Sequence, residues 1–234
     1  MARKSLASTV ADGILDAVVA GEFAAGLALP SEAEIGEQYD VSRVTVREAL
    51  KTLQAQNVVR VLPGRGTFVN PVTAWTDLGP VLRATTQGAD AAASSLQLVE
   101  VRRMIETGAA ALAATRRTEA DVASLESQLD RMRSAHDSAD LDEFVEADIA
   151  FHDVILHAAG NVFVGVLFEP LGRVMRAKRE QTSAVEQIRV NAIAEHAAIV
   201  DAVRSGDAER SRLAMDSHMT QTANDLERFV LGEI

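Results

Sequence analysis

Cysteine is absent from the 234-residue sequence. That excludes disulfide cross-links and any thiolate metal site. No run approaches the ~20 apolar residues that a membrane-spanning helix requires. The opening Met1-Ala2-Arg3-Lys4-Ser5 leads into an amphipathic stretch interrupted by Asp12 and Asp16, which is not the pattern of a secretory leader. The expectation is a soluble, cytoplasmic protein with no membrane partner. An excess of positive charge is lacking too: the formal net charge is −11, which at first argues against nucleic acid. After residue 70 no strand pattern appears.

The charge is unevenly distributed. Residues 1–70 carry seven Lys/Arg against eight Asp/Glu, and residues 71–234 carry sixteen against twenty-six. From Arg43 to Arg65 there are five basic residues, with only Glu48 opposing them. Affinity for DNA depends on local phosphate neutralisation rather than on whole-chain charge, so a DNA-reading segment remains compatible with an acidic chain.

That segment has a specific pattern. Ser31 with Glu34 three residues later forms a capping box, which starts a helix. Ser42 is a second N-cap candidate, and Val46, Ala49, Leu50 and Leu53 then recur at helical spacing. Arg43, Arg47 and Lys51 fall together beside this stripe, with Thr45 near the start of the helix. Arginine pairs at this spacing are also what a solvated helix face looks like. The β-rich runs that follow, Val58-Val59-Arg60-Val61-Leu62 and Thr67-Phe68-Val69, are separated by Pro63-Gly64-Arg65-Gly66 and so predict a hairpin with a basic tip. Two short helices followed by a basic wing predict a winged helix-turn-helix that inserts arginines from one helix into the DNA major groove.

The rest of the chain is helical by periodicity. An expected first helix, Leu6 to Ala20, completes the small domain over 1–70. Residues 71–95, with Pro71, Gly79, Pro80, Gly88 and a small-residue run at 91–95, read as a linker holding a short helix around Leu78 to Ala84. Residues 96–234 read as an antiparallel bundle of about six helices. Leu98, Val101, Ile105 and Leu112 mark the first stripe, and Val122, Leu125, Leu129 and Met132 the second. Leu141, Phe144, Val145, Phe151 and Ile155 mark the third; Phe163, Leu167, Leu171 and Val174 mark a fourth that Pro170 should kink. A fifth helix ends at Gly206, and a last one runs from Asp207 to about Val230. The expected fold is therefore mainly α.

Polar residues interrupt these stripes. Asp148 and His152, four apart, continue the third; His196 sits among Ile188, Ala192, Ile199 and Val203; His218 sits among Met215, Met219 and Leu226. Burying a carboxylate and three imidazoles costs free energy unless they share a partner. Each His taken singly is also what a hydrogen-bonded core histidine looks like. As a set, three imidazoles and one carboxylate suit a divalent metal ion, zinc first and nickel or manganese next, with a coordination position left open. An open position also suits a metal-dependent hydrolase, but no spacing supplies the base or nucleophile such an enzyme needs, so catalytic residues are not expected.

Residues 8–70 resemble the DNA-binding domain of GntR-family bacterial transcriptional regulators. The resemblance rests on Gly26…Leu29-Pro30-Ser31-Glu32, on Val41-Ser42-Arg43-x-Thr45-Val46-Arg47-Glu48-Ala49-Leu50 and on Gly64-x-Gly66-Thr67-Phe68-Val69. The family often carries Arg after Pro-Ser-Glu, where this chain has Ala33. The second half resembles the FCD-type ligand-binding domain of the FadR-like branch, through Val101-Arg102-x-x-Ile105-Glu106, Asp148-x-x-Phe151-His152 with Gly160-Asn161, and Glu195-His196-x-x-Ile199 with His218 beyond. The resemblance implies a regulator, most often a repressor, that binds a palindromic operator as a homodimer. It implies Ser31, Ser42, Arg43, Thr45, Arg47, Arg65 and Gly66 at the DNA and Asp148, His152, His196 and His218 around a metal. It also implies a small carboxylate or sugar-acid effector gripped by Arg102, with Asn161, Arg189 and Asn191 as further pocket residues. Trp75-Thr76-Asp77-Leu78-x-Pro80-x-Leu82 is similar to sugar-acid-responsive members.

Overall fold

Ser31 opens the second helix as its spacing requires: its Oγ accepts from Glu34 N at 3.3 Å, while Glu34 returns a carboxylate to Ser31 N at 2.7 Å. The computed structural model describes residues 4–87 and 91–232, and the chain divides into two compact units, Met1–Ala91 and Ala92–Ile234. In the first unit, α1 (Leu6–Val19), α2 (Glu32–Gln38) and α3 (Arg43–Ala55) precede the strands β1 (Val59–Leu62) and β2 (Gly66–Val69). The strands pair antiparallel with Val59 opposite Val69 and Leu62 opposite Gly66. Residues 26–29 run along the outer edge of β2, where Leu29 N donates to Thr67 O at 2.8 Å and Val69 N to Leu27 O at 3.0 Å. The stripe of α3 is buried as its spacing predicts, against Val10, Ile14, Ile35 and Val58.

The stretch read as a linker behaves differently. Trp75 is buried in the core of the winged unit, 8% exposed, and its indole N–H donates to Asn70 O at 3.0 Å. A helix α4 (Leu78–Gln87) packs Val81 and Ala84 on the same core. Arg83 bridges Asp12 at 3.4 Å and also pairs with Asp16. Residues 71–87 are therefore part of the first unit, because an indole and an apolar helix face found a partner there; Gly and Pro composition carried no trace of that.

The second unit contains α5 (Ala91–Arg116), α6 (Glu119–Asp137), α7 (Leu141–Ala158), α8 (Val162–Phe168), α9 (Gly172–Ser183), α10 (Glu186–Ser205) and α11 (Ala208–Asp225), closed by a π-turn at Leu226–Leu231. Thr118 and Asp121 form a second capping box at α6, and Gly206, at φ 76°, ends α10 in the left-handed conformation that favours glycine. Two stripes differ from expectation. On α5 the inward residues are Val99, Arg102, Glu106, Ala109, Ala110 and Ala113, while Val101 is exposed; small alanines and an internal ion pair face the core. At Pro170 the expected kink is a full break, a 3₁₀ turn at Glu169–Leu171 between α8 and α9, since proline lacks the N–H to continue the ladder. As a result Phe163 (73%) and Leu167 (58%) face outward instead of extending a buried stripe. No helix among the described residues is long and apolar enough to cross a membrane.

Candidate functional site

In the winged unit, Ser42 caps α3 by accepting from Thr45 N at 3.2 Å. Arg43, Arg47 and Lys51 all lie exposed on the helix that Val46, Ala49 and Leu53 anchor. Arg47 Nε donates to Glu32 Oε2 of α2 at 2.7 Å, an exposed pair that a phosphate or base edge can replace at small cost. At the hairpin tip Arg65 lies 5.9 Å from the Phe68 ring centroid, and Gly66 has φ 110°, where a side chain would be strained. Ser31, Ser42 and Gly66 thus serve the backbone geometry, whereas Arg43, Arg47 and Arg65 present positive charge at the surface.

In the second unit, α7, α10 and α11 bring His152, His196 and His218 together, all buried, with ligand nitrogens within 4.8 Å of one another. Their rings are 4.5–5.3 Å apart by centroid, and Phe151 closes one side of His196 at 4.4 Å. A backbone carbonyl fixes the tautomer of one of them. His196 Nδ1 lies 2.7 Å from Ala192 O, an acceptor only, so Nδ1 carries the proton and Nε2 a lone pair. That lone pair faces Asp148 Oδ1 at 3.2 Å. His152 Nδ1 lies 2.6 Å from Glu106 Oε2, and its Nε2 lies 3.4 Å from Arg102 Nη2. His152 Nδ1, His196 Nε2 and His218 Nδ1 are all buried without a formed hydrogen bond. Converging lone pairs with carboxylates behind them are a donor set that fits a cation, and a carboxylate holding the far nitrogen is the usual support of a metal-ligating imidazole.

Asp148 is adjacent but stands outside the three-histidine cluster: its other oxygen is held by Arg179 of α9. Burial would raise the Asp148 carboxyl, but Arg179 beside it holds it well below the usual carboxylate range. Glu106 is likewise kept ionised against burial by Arg102 and His152. Burial pushes His152 down to about 4, with Glu106 opposing, and it pushes His218 well below the ordinary histidine value. At neutral pH His152 and His218 are therefore neutral, as ligands must be.

Arg102 is buried and its Nε donates to Glu106 Oε1 at 2.7 Å. Of the other pocket candidates, Arg189 and Asn191 are held away from the histidines, and Asn161 shares a cavity with His152. Arg189 Nη1 donates to Ser183 O at 2.5 Å and so caps the C-terminus of α9, and the Asn191 amide is held by both oxygens of Asp225 at 3.0–3.1 Å. Asn161 accepts from Phe163 N at 3.1 Å at the rim of a cavity between α7, α8 and α9. Two buried residues escaped the sequence reading. Glu106 stood only as part of the Val101–Glu106 resemblance, with no role of its own; Arg179 continues the spacing of Met175 and Ser183, both buried, which was a signal available in α9.

The chain matches two family models, "Bacterial regulatory proteins, gntR family" over residues 6–69 and "FCD domain" over residues 97–221. It is 30% identical over 214 residues to the galactonate operon transcriptional repressor of Escherichia coli (strain K12), covering 89% of this chain and 93% of that protein. It is also 30% identical over 214 residues to the HTH-type transcriptional regulator LutR of Bacillus subtilis (strain 168), covering 95% of it. Among solved structures, Lar, described as controlling the expression of the Listeria monocytogenes agr system, superposes with a TM-score of 0.63 at 21% identity over 98% of this chain and 100% of that one. Streptococcus agalactiae GntR gives 0.53 at 23% identity over 93% of this chain and 99% of that one; at these identities the likeness speaks for the fold alone. Such membership supports a regulatory rather than an enzymatic role and sets aside the hydrolase reading. The chain belongs to the gntR family of bacterial regulatory proteins, as a DNA-binding regulator whose second unit is an FCD domain.

Proposed function

We propose that this regulator is a repressor whose second unit holds one divalent metal ion on His152, His196 and His218, with Asp148 Oδ1 as fourth ligand. A small carboxylic acid binding beside the ion would change operator affinity. The observation that carries this reading is the convergence of three buried imidazoles, with His196 Nδ1 held by Ala192 O and His152 Nδ1 lying 2.6 Å from Glu106 Oε2. Nitrogen and oxygen donors favour zinc, with nickel or manganese next.

Charge supports an anionic effector. Arg102 and Arg179 balance Glu106 and Asp148, so a divalent ion leaves the buried cluster with two positive charges, one of which a carboxylate offsets. The name of one relative, a galactonate operon repressor, favours a sugar acid. DNA contact falls to Arg43, Arg47 and Arg65, with Thr45 at the start of α3. A homodimer on a palindromic operator doubles what one small reading head contributes.

The effector can act only through a difference in its affinity for DNA-competent and DNA-incompetent arrangements. Selection of operator sequences from random duplexes, followed by anisotropy titration with and without a panel of acids, tests the reading. A selected palindrome whose binding one acid weakens severalfold is the expected result; no sequence preference at all would reject it.

A further inference from the structure

Arg179 lines three cavities, two of which also reach a histidine of the cluster, one at His152 and one at His218. Two, on the side of Arg102, are ≈50 Å³ each, room for a water molecule or two. The third, between α7, α8 and α9, is ≈770 Å³, within the range of ligand sites. Its inner wall is His152 and Arg179, its middle is apolar with Leu156, Phe168 and Met175, and its rim carries Asp153 and Asn161. Arg179 is buried, its Nε pairs with Asp148, and its Nη2 has no hydrogen-bond partner. A buried guanidinium nitrogen without an acceptor is costly and rare in folded proteins. Arg102, by contrast, is engaged by Glu106 and faces only the small cavities.

We propose that the effector occupies the large α7–α9 cavity and that Arg179, rather than Arg102, receives its carboxylate on Nη2 while continuing to hold Asp148. This deepens the effector reading above and rests on it. Volume decides the side: the body of any organic acid fits only beyond Arg179. Charge decides the pole, since the buried inner wall offers an unsatisfied cationic donor and the rim offers polar groups to the far end of the ligand. Arg179 would also link the two ligands, because one guanidinium touches the carboxylate of Asp148 and that of the effector.

The test uses the full-length chain loaded with zinc. Thermal shift and calorimetry are run with a panel of carboxylic acids from L-lactate to D-galactonate, and with uncharged galactitol. Arg179→Lys keeps a cation for Asp148 but loses the second nitrogen. It should retain zinc stoichiometry and lose acid affinity by about tenfold to a hundredfold, the range for a hydrogen bond to a charged group. Gly165 lines the cavity and a Cβ there would meet nothing within 4 Å, so Gly165→Leu should fill space, keep zinc and lose the acid response. Galactitol should shift neither parent nor variants. If both variants bind the acid within twofold of the parent, the cavity and Arg179 are the wrong site while the effector reading stands. If no acid shifts the zinc-loaded parent, the effector reading fails and this inference with it.

Discussion

Trp75→Ala in a fragment of residues 1–87 examines where the DNA-binding unit ends. Trp75 is 8% exposed among residues of the winged core, and its indole N–H donates to Asn70 O. Removing a buried tryptophan side chain costs about 3–5 kcal/mol through lost transfer energy and the cavity left behind. The partner carbonyl is the main-chain oxygen of Asn70, a residue whose side chain ties β2 to Asn57 and Arg60 at 2.9 and 2.6 Å, so the damage should reach the wing. For a domain of this size each kcal/mol lowers Tm by about 4–8 °C, and the variant should melt well over 10 °C below the parent fragment by far-UV circular dichroism. A fragment cut at residue 70 should be destabilised at least as much, since it also loses Val81, Ala84 and the Arg83 bridge to Asp12. A shift under about 3 °C in Trp75→Ala, less than 1 kcal/mol on the same scale, would refute the reasoning that residues 71–87 are part of this unit.

Other consequences follow from the buried charges and the exposed ones. Glu106→Gln leaves Arg102 without its counter-charge and His152 Nδ1 with a neutral partner, so zinc affinity measured by chelator competition should fall about tenfold to a hundredfold; unchanged affinity would count against Glu106 as support for the metal. In metal-free protein, His152 titrates at about 4 against an ordinary 6.5, so between these values the unfolded chain binds more protons. Stability should therefore drop as pH falls from about 6.5 toward 4, by up to about 3 kcal/mol from this residue, with His218 adding in the same direction; urea unfolding at pH 7 and pH 5 measures it, and a flat or rising profile would contradict the buried neutral imidazoles. Arg43→Ala should weaken operator binding by about 1–3 kcal/mol, while Arg65→Ala should act evenly across sequences and flatten the salt dependence; equal loss of specificity from both would blur their assigned roles.

Much of this was legible in residue spacing. The caps at Ser31 and Ser42, the α3 stripe and the hairpin are local, and local chemistry decides them. The three histidines were legible because imidazoles on apolar stripes of separate helices have one common destination. What escaped depended on tertiary partners. Trp75 looks like a linker residue until the winged core is assembled around it. Glu106 sits four residues after Arg102, a spacing equally good for surface and interior pairs, and only burial separates them. Arg179 lies in a strongly basic helix, where its burial is hidden among the half-buried cations Arg176 and Lys178. On α5 the largest apolar residues suggested one face, while the alanines that permit close approach chose another.

The most direct test of the central account is the metal content of full-length protein purified without chelator, measured beside His196→Ala. The account predicts one divalent ion per chain in the parent, none in the variant, a lower Tm in the variant, and operator binding that survives the loss. A parent without metal, and without thermal shift on addition of zinc, nickel or manganese, would contradict it and leave the three histidines as a buried polar network.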